Sequence, residues 1–142
     1  MLVDSNILIY AINSSSPKNL RAQQFLRENT GEFALAHQNI LEALRVLTHP
    51  KFPTPMRIKD AIDAVSQIAD AAQVIFPSLE TYHLAVVLIE EYKITADKIY
   101  DAYLVATMIA NCISEIVTDN QKDFRYFPQL KVINPFKEAA QN

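Results

Sequence analysis

Asp4 closes a short apolar run, Leu2-Val3, and Asp119 follows another, Ile116-Val117-Thr118. In open α/β sheets ligands collect beyond the carboxyl ends of the strands, near the switch in strand order. Two carboxylates at two such ends can converge on one crevice. Asp101 enters as a third acid from the first turn of an apolar helix, where a free carboxylate is costly unless it is paired or metal-bound. Clustered carboxylates repel one another and call for a hard cation, and a donor set of oxygens alone favours Mg²⁺ or Mn²⁺. Such a site can activate water for in-line attack on a phosphodiester. Each acid also has a plainer use. Asp4 suits the cap of the helix that follows it, Asp119-Asn120 suits a turn, and Asp97 suits the N-cap of the helix carrying Asp101. Glu42 faces away from the stripe Ile40, Ala43, Leu44 and Leu47, so by itself it reads as a solvated glutamate. The joint placement of the acids, rather than any one of them, points to metal chemistry.

The elements that must position these acids alternate between short β-type runs and longer helical ones, which predicts an α/β domain. Strands are expected at Met1–Asp4, Phe33–Ala36, Val74–Phe76, Glu115–Thr118 and, weakly, Lys131–Ile133. Helices are expected near Asn6–Ile12, Lys18–Glu28, Asn39–Thr48, Arg57–Ala72, Leu79–Tyr92 and Ile99–Ile113. The 142 residues make one domain, with a central, mostly parallel sheet of four to five strands and helices on both faces. Pro17 suits a helix start, and the prolines of His49-Pro50-Lys51-Phe52-Pro53-Thr54-Pro55 break helix. The Ile99–Ile113 segment is apolar nearly all round, so it belongs in the centre of the domain. Cys112, the one cysteine, falls in that segment and reads as a small core residue.

Composition removes several alternatives. A single glycine, Gly31, argues against glycine-rich phosphate loops, and neither G-x-G-x-x-G nor a Walker A segment occurs. His37, His49 and His83 show no zinc-type spacing. The net charge of −3 and pI near 5.5 do not advertise a polyanion binder. A carboxylate-rich metal site is nevertheless compatible with an acidic chain, because the metal supplies the positive charge where phosphate sits. Lys51, Arg57 and Lys59 form the one basic stretch free of acids, a candidate phosphate-steering lip beside the proline-rich loop. Met1 leads into a strand with no basic leader, and no apolar run approaches the roughly 20 residues of a membrane span, so the expected compartment is the cytoplasm.

Four segments together resemble the PIN-domain nucleases, in particular the VapC toxins of toxin–antitoxin pairs. Val3-Asp4-Ser5-Asn6-Ile7-Leu8-Ile9-Tyr10 is similar to their opening strand and turn. Leu41-Glu42-Ala43-Leu44-Arg45-Val46-Leu47-Thr48-His49-Pro50 resembles the second acidic segment, Tyr100-Asp101-Ala102-Tyr103-Leu104-Val105-Ala106 the third, and Val117-Thr118-Asp119-Asn120-Gln121-Lys122-Asp123-Phe124 the fourth. The resemblance spans essentially the whole chain and implies a Mg²⁺- or Mn²⁺-dependent endoribonuclease. It implies Asp4, Glu42 and Asp101 as family acids and metal ligands. For the fourth acid both Asp119 and Asp123 lie in the matching segment, with Asp119 favoured because it stands nearest the strand end. Asn6, Thr118, Asn120 and Asp123 are supporting polar residues, and Arg45, Lys51, Arg57 and Lys59 are candidates for RNA contact. The departure is at His37-Gln38, where the family often has Ser or Thr. The resemblance also implies a cognate antitoxin that lies across the acidic crevice, and a homodimer. The apolar Leu84-Ala85-Val86-Val87-Leu88-Ile89 offers a surface for such association.

Three other readings compete: a PIN-like nuclease outside a toxin–antitoxin pair, a silent RNA- or protein-binding module on the same fold, and an Asp-x-Asp phosphatase. The last wants an acid two residues after Asp4, where this chain has Asn6.

Overall fold

The computed structural model describes residues 1–137. Its strands are β1 (Leu2–Val3), β2 (Ala34–Ala36), β3 (Gln73–Ile75), β4 (Glu115–Val117) and β5 (Lys131–Ile133). They form one sheet in the order β3-β2-β1-β4-β5, and every neighbouring pair is parallel. The helices are α1 (Ser5–Ile12), α2 (Asn19–Glu28), α3 (His37–Leu47), α4 (Ile58–Asp70), α5 (Thr81–Glu91) and α6 (Lys98–Ala110), and Gln121–Asp123 forms a single 3-10 turn. From β1 the chain builds outward through β2 and β3, then returns to lay β4 and β5 on the other side. The order therefore reverses between β1 and β4, which is where crevices form in such sheets.

Side chains alternate across each strand and fill two cores. Leu2, Ala34, Ala36 and Ile116 pack on one face against α5 and α6. Val3, Phe33, Leu35 and Val117 pack on the other against α1, α2, α3 and α4. This is the expected α/β architecture of one parallel sheet with helices on both faces. The apolar circumference of α6 is buried as anticipated from Ala102 through Met108, while Ile99 and Tyr100 in its first turn stay exposed.

The boundaries differ from expectation by at most three residues, with β5 as expected at both ends, and two departures are informative. α3 begins at His37, two residues early, because the Asn39 side-chain oxygen accepts the Ala36 N–H at 3.0 Å and closes the helix start. The unusual His37-Gln38 pair therefore does not carry the cap. Cys112, expected in the core, is exposed. α6 ends at Ala110, and Cys112 takes a left-handed backbone conformation with φ 58°, so the chain turns its side chain out of the helical stripe. Among the described residues no helix is long and apolar enough to cross a membrane.

Candidate active site

Asp4 stands at the switch point, one residue past β1, with 7 % of its surface exposed. It does cap α1, accepting the Ser5 N–H at 2.8 Å. Its other oxygen takes hydrogen bonds from the Thr118 hydroxyl at 2.8 Å and from the Asn6 amide at 3.2 Å. Asn6 also donates to Thr118 at 3.0 Å, and its oxygen accepts the Asp119 N–H at 3.2 Å. Thr118 is fully buried one residue past β4. The plain capping role and the site role thus coincide in one carboxylate, because the β1–α1 turn and the end of β4 meet at the same point. Charge-assisted bonds of this kind contribute roughly 1.5–3 kcal/mol each, which offsets part of the cost of burial.

Glu42 is half-buried rather than solvated. α3 presents it to α1, where its carboxylate accepts the Ser5 hydroxyl at 3.0 Å. Gln38, one turn earlier, approaches Glu42 at 3.5 Å and donates to the Tyr100 carbonyl at 3.0 Å, so it ties α3 to the start of α6. Asp101 is half-buried in that first turn. No hydrogen bond to its carboxylate is formed among the described residues. Asp97 occupies the N-cap position of α6, as expected, but its side chain makes no capping bond.

Electrostatics define which acids belong together. Burial pushes Asp4 up to about 6 from the ordinary 3.8, against the pull of the Thr118 and Ser5 hydrogen bonds, with the charges of Glu42 and Asp123 adding to the rise. Asp101 is pushed further, to about 7, first by burial and then by Asp123, Asp4 and Glu42, with Lys98 opposing. Asp4, Glu42, Asp101 and Asp123 therefore share one field. Asp119, expected as the fourth acid, is engaged elsewhere. One of its oxygens pairs with Lys18 and accepts the Tyr10 hydroxyl at 2.9 Å, and the other accepts the Asn134 amide at 3.2 Å. Burial alone would raise Asp119, but these three donors hold it below the ordinary carboxylate range. The residue directly after Thr118 turns toward α1 and α2. Asp123, in the 3-10 turn, adds its charge to the field on Asp4 and Asp101. Asn120 donates its amide to Asp123, and its N–H to Thr118 at 3.0 Å.

Among the described residues no three His, Cys, Asp or Glu side chains are gathered into a ready-made cation cage. The donor set is all oxygen, and its charges crowd one another with only Lys98 opposing. Mg²⁺ keeps several of its waters and needs only one or two direct carboxylates, so the residues fit a hydrated divalent ion held in an open site.

Of the basic candidates, only Arg45 lines the groove of about 970 Å³ that contains Glu42, Asp97, Tyr100 and Asp101. Lys51 is exposed in the proline loop. Arg57 and Lys59, thought free of acids, pair with Asp60 at 3.3 Å and Asp63 at 3.2 Å, since α4 brings residues three and four apart together. Sequence reasoning missed Ser5, Gln38, Lys18 and Tyr10. Ser5 and Tyr10 lay inside the first motif, but only the fold shows what they face.

This is a single parallel α/β domain whose acids crowd the carboxyl edge of the sheet at its switch point. The PIN domain family profile matches residues 1–129, and the chain belongs to that family. A comparison with curated protein sequences found no match. Solved structures share its fold at low identity. A toxin–antitoxin complex from Klebsiella pneumoniae is 23 % identical, with 96 % of this chain and 98 % of that chain covered and a TM-score of 0.68. The DNA-bound VapBC from Salmonella typhimurium is 13 % identical, with 94 % and 96 % covered and a TM-score of 0.69. Mycobacterium tuberculosis VapC20, described as a sarcin-ricin loop cleaving toxin, is 12 % identical, with 91 % and 97 % covered and a TM-score of 0.67.

The separation of Asp119 from the other acids has opposite consequences for stability. Asp101 binds its proton more tightly in the folded state, so its contribution is most favourable below 3.8 and is lost as pH rises through about 7. Asp119 is depressed, so its contribution is present above the ordinary value and lost as pH falls. In cation-free buffer at pH 8, Asp101→Asn should raise the thermal midpoint and Asp119→Asn should lower it, and the Asp101→Asn gain should fade toward pH 4. A loss of stability in both variants at pH 8 would contradict the assignment.

Proposed function

We propose that this chain is a divalent-cation-dependent endoribonuclease that hydrolyses RNA phosphodiesters as the toxin of a VapBC-type pair. The observation that carries the reading is the meeting of two strand ends at the switch point: the buried Asp4, just past β1, is held by Thr118, just past β4, and Glu42 joins the neighbouring Ser5. Burial and the neighbouring acids raise Asp101 at the same edge, with Lys98 opposing. The likeness to VapC20, described as a sarcin-ricin loop cleaving toxin, supports RNA as the substrate.

In this account Asp4, Glu42, Asp101 and Asp123 provide the carboxylate oxygens for Mg²⁺ or Mn²⁺, and Asp119 has a structural role. The bound ion supplies a Lewis-acidic charge to the phosphate and lowers the pKa of a water. Thr118 and Asn6 hold one oxygen of Asp4 and leave its carboxylate in a single orientation. Ser5 and Gln38 do the same for Glu42. Asp123 is held by Asn120. Arg45, in the groove beside Glu42, meets a flanking RNA phosphate, and Lys51 stands ready at the loop. Arg57 and Lys59 each share their charge with an exposed acid on α4. The protein acts in the cytoplasm.

An antitoxin and a second copy of the chain complete the reading. Tyr82, Val86 and Val87 on α5 are 66 %, 41 % and 58 % exposed, an apolar face suited to a homodimer. An antitoxin arginine laid into the crevice would satisfy the acids as the cation does.

The purified protein should cleave a panel of transfer RNAs and ribosomal RNA fragments with Mg²⁺ or Mn²⁺ and not with EDTA. Asp4→Asn should lower the rate by at least about 100-fold and keep the fold. Full activity of that variant, or cleavage in EDTA, would overturn the proposed chemistry. For the partner, expression in a bacterial host should arrest growth in an Asp4-dependent manner and be relieved by the product of an adjacent gene. A monomer that arrests nothing would instead fit a nuclease outside a toxin–antitoxin pair.

A further inference from the structure

Tyr126 lies three residues beyond Asp123, and the apolar packing of its ring is complete. The ring stacks on Phe127 with centroids 4.5 Å apart, meets Tyr92 edge-on at 6.1 Å, and rests on the core that holds α6 against the sheet. The Lys98 ammonium lies 5.7 Å from its centroid. Lys98 and Asp101 stand three apart on α6 and so share one face of that helix, which puts Tyr126 beside the first turn that carries Asp101. The charges of Asp101 and Asp123 both reach the phenol, which burial first and then these two acids push above its ordinary value.

The hydroxyl itself is shut off from solvent and has no hydrogen-bond partner among the described residues. Such an orphan is rare in a folded protein and costs stability unless something satisfies it. Asp101, one turn along α6 from Lys98, likewise has no hydrogen bond to its carboxylate among the described residues. The phenol is thus a donor without an acceptor beside an acceptor without a donor. We propose that Tyr126 is a positioning residue of the acidic site, whose hydroxyl donates to the Asp101 carboxylate once a divalent cation draws the acids together. The inference rests on the cation-dependent reading above and adds a residue to it. Phe127 and Tyr92 fix the ring, Lys98 lies against it, and the hydroxyl is left without any other partner among the described residues. A bond of this kind orients a carboxylate ligand and strengthens its hold on the ion.

Tyr126→Phe removes one oxygen and keeps the ring, so it separates this role from simple packing. The test is thermal unfolding of the full chain without metal and across a Mn²⁺ titration, in wild type and in Asp101→Asn, together with RNA cleavage. Without metal, Tyr126→Phe should unfold at the wild-type temperature or above it, since only an unpaired hydroxyl is lost. The Mn²⁺ concentration giving half of the stabilisation should rise about 10-fold, and cleavage at limiting Mn²⁺ should fall with it. In the Asp101→Asn background the same change should have no further effect on the titration. An unchanged Mn²⁺ midpoint in Tyr126→Phe beside a responsive, active wild type would overturn this inference alone. So would a Tyr126→Phe protein that is less stable without metal, because the hydroxyl would then have a structural partner. A wild type that neither responds to Mn²⁺ nor cleaves RNA would overturn the inference together with the nuclease reading.

Discussion

Burying a carboxylate at the end of a central strand is costly, and the architecture around Asp4 is arranged to bear that cost. Thr118 reaches it from the end of β4, while Ser5 and Asn6 reach it from the start of α1. The Ser5 and Asn6 bonds are local to the turn, but the Thr118 bond forms because β1 and β4 are parallel neighbours in register, with Leu2 opposite Ile116 and Val3 opposite Val117. The same contact marks the point where the strand order reverses. The pairing that opens the crevice therefore also fixes the acid within it; Glu42 and Asp123 add negative charge to that buried group, and together with Asp4 they press on Asp101.

Two polar networks share this edge and have opposite character. Around Asp4 and Asp101 the acids outnumber nearby cations, and both are displaced toward the neutral form. Around Asp119 the donors Lys18, Tyr10 and Asn134 compensate the charge fully, and the ion pair joins the start of α2 to the end of the sheet. Lys18 also lies over the rings of Tyr10 and Phe136, so that network is tied into the apolar face beneath it. Asn6 and Thr118 stand at the border, bonding Asp4 on one side and the backbone of Asp119 or Asn120 on the other. The balanced network is a brace, and it holds the unbalanced one in place.

Much of this was legible in the sequence. The alternation of β-type and helical runs carried the parallel sheet, and the full apolar girth of Ala102–Met108 carried the central helix, because both follow from local periodicity. Asp4 was legible because a strand end followed by a helix leaves few roles for an acid. The different surroundings of Asp119 and Asp123 were not. Asp119 and Asp123 differ by one 3-10 turn, and their separation depends on Lys18 and Tyr10, more than 100 positions away in the chain. Glu42 misled for a related reason: its helical stripe assigns it to the outer face of α3, but the Ser5 hydroxyl waits there. Arg57 and Lys59 lost their freedom to acids three and four residues ahead, a pairing that α4 itself makes predictable.

The central claim is that Asp4, Glu42, Asp101 and Asp123 form one cation site from which Asp119 is excluded. Anomalous diffraction from crystals grown with Mn²⁺ tests it most directly, because the ion reports its own position. The account predicts a peak between the Asp4 and Asp101 carboxylates, with the Lys18–Asp119 pair intact. A peak on the Asp119 carboxylate with Lys18 displaced, or no peak near Asp4 at saturating Mn²⁺, would contradict it.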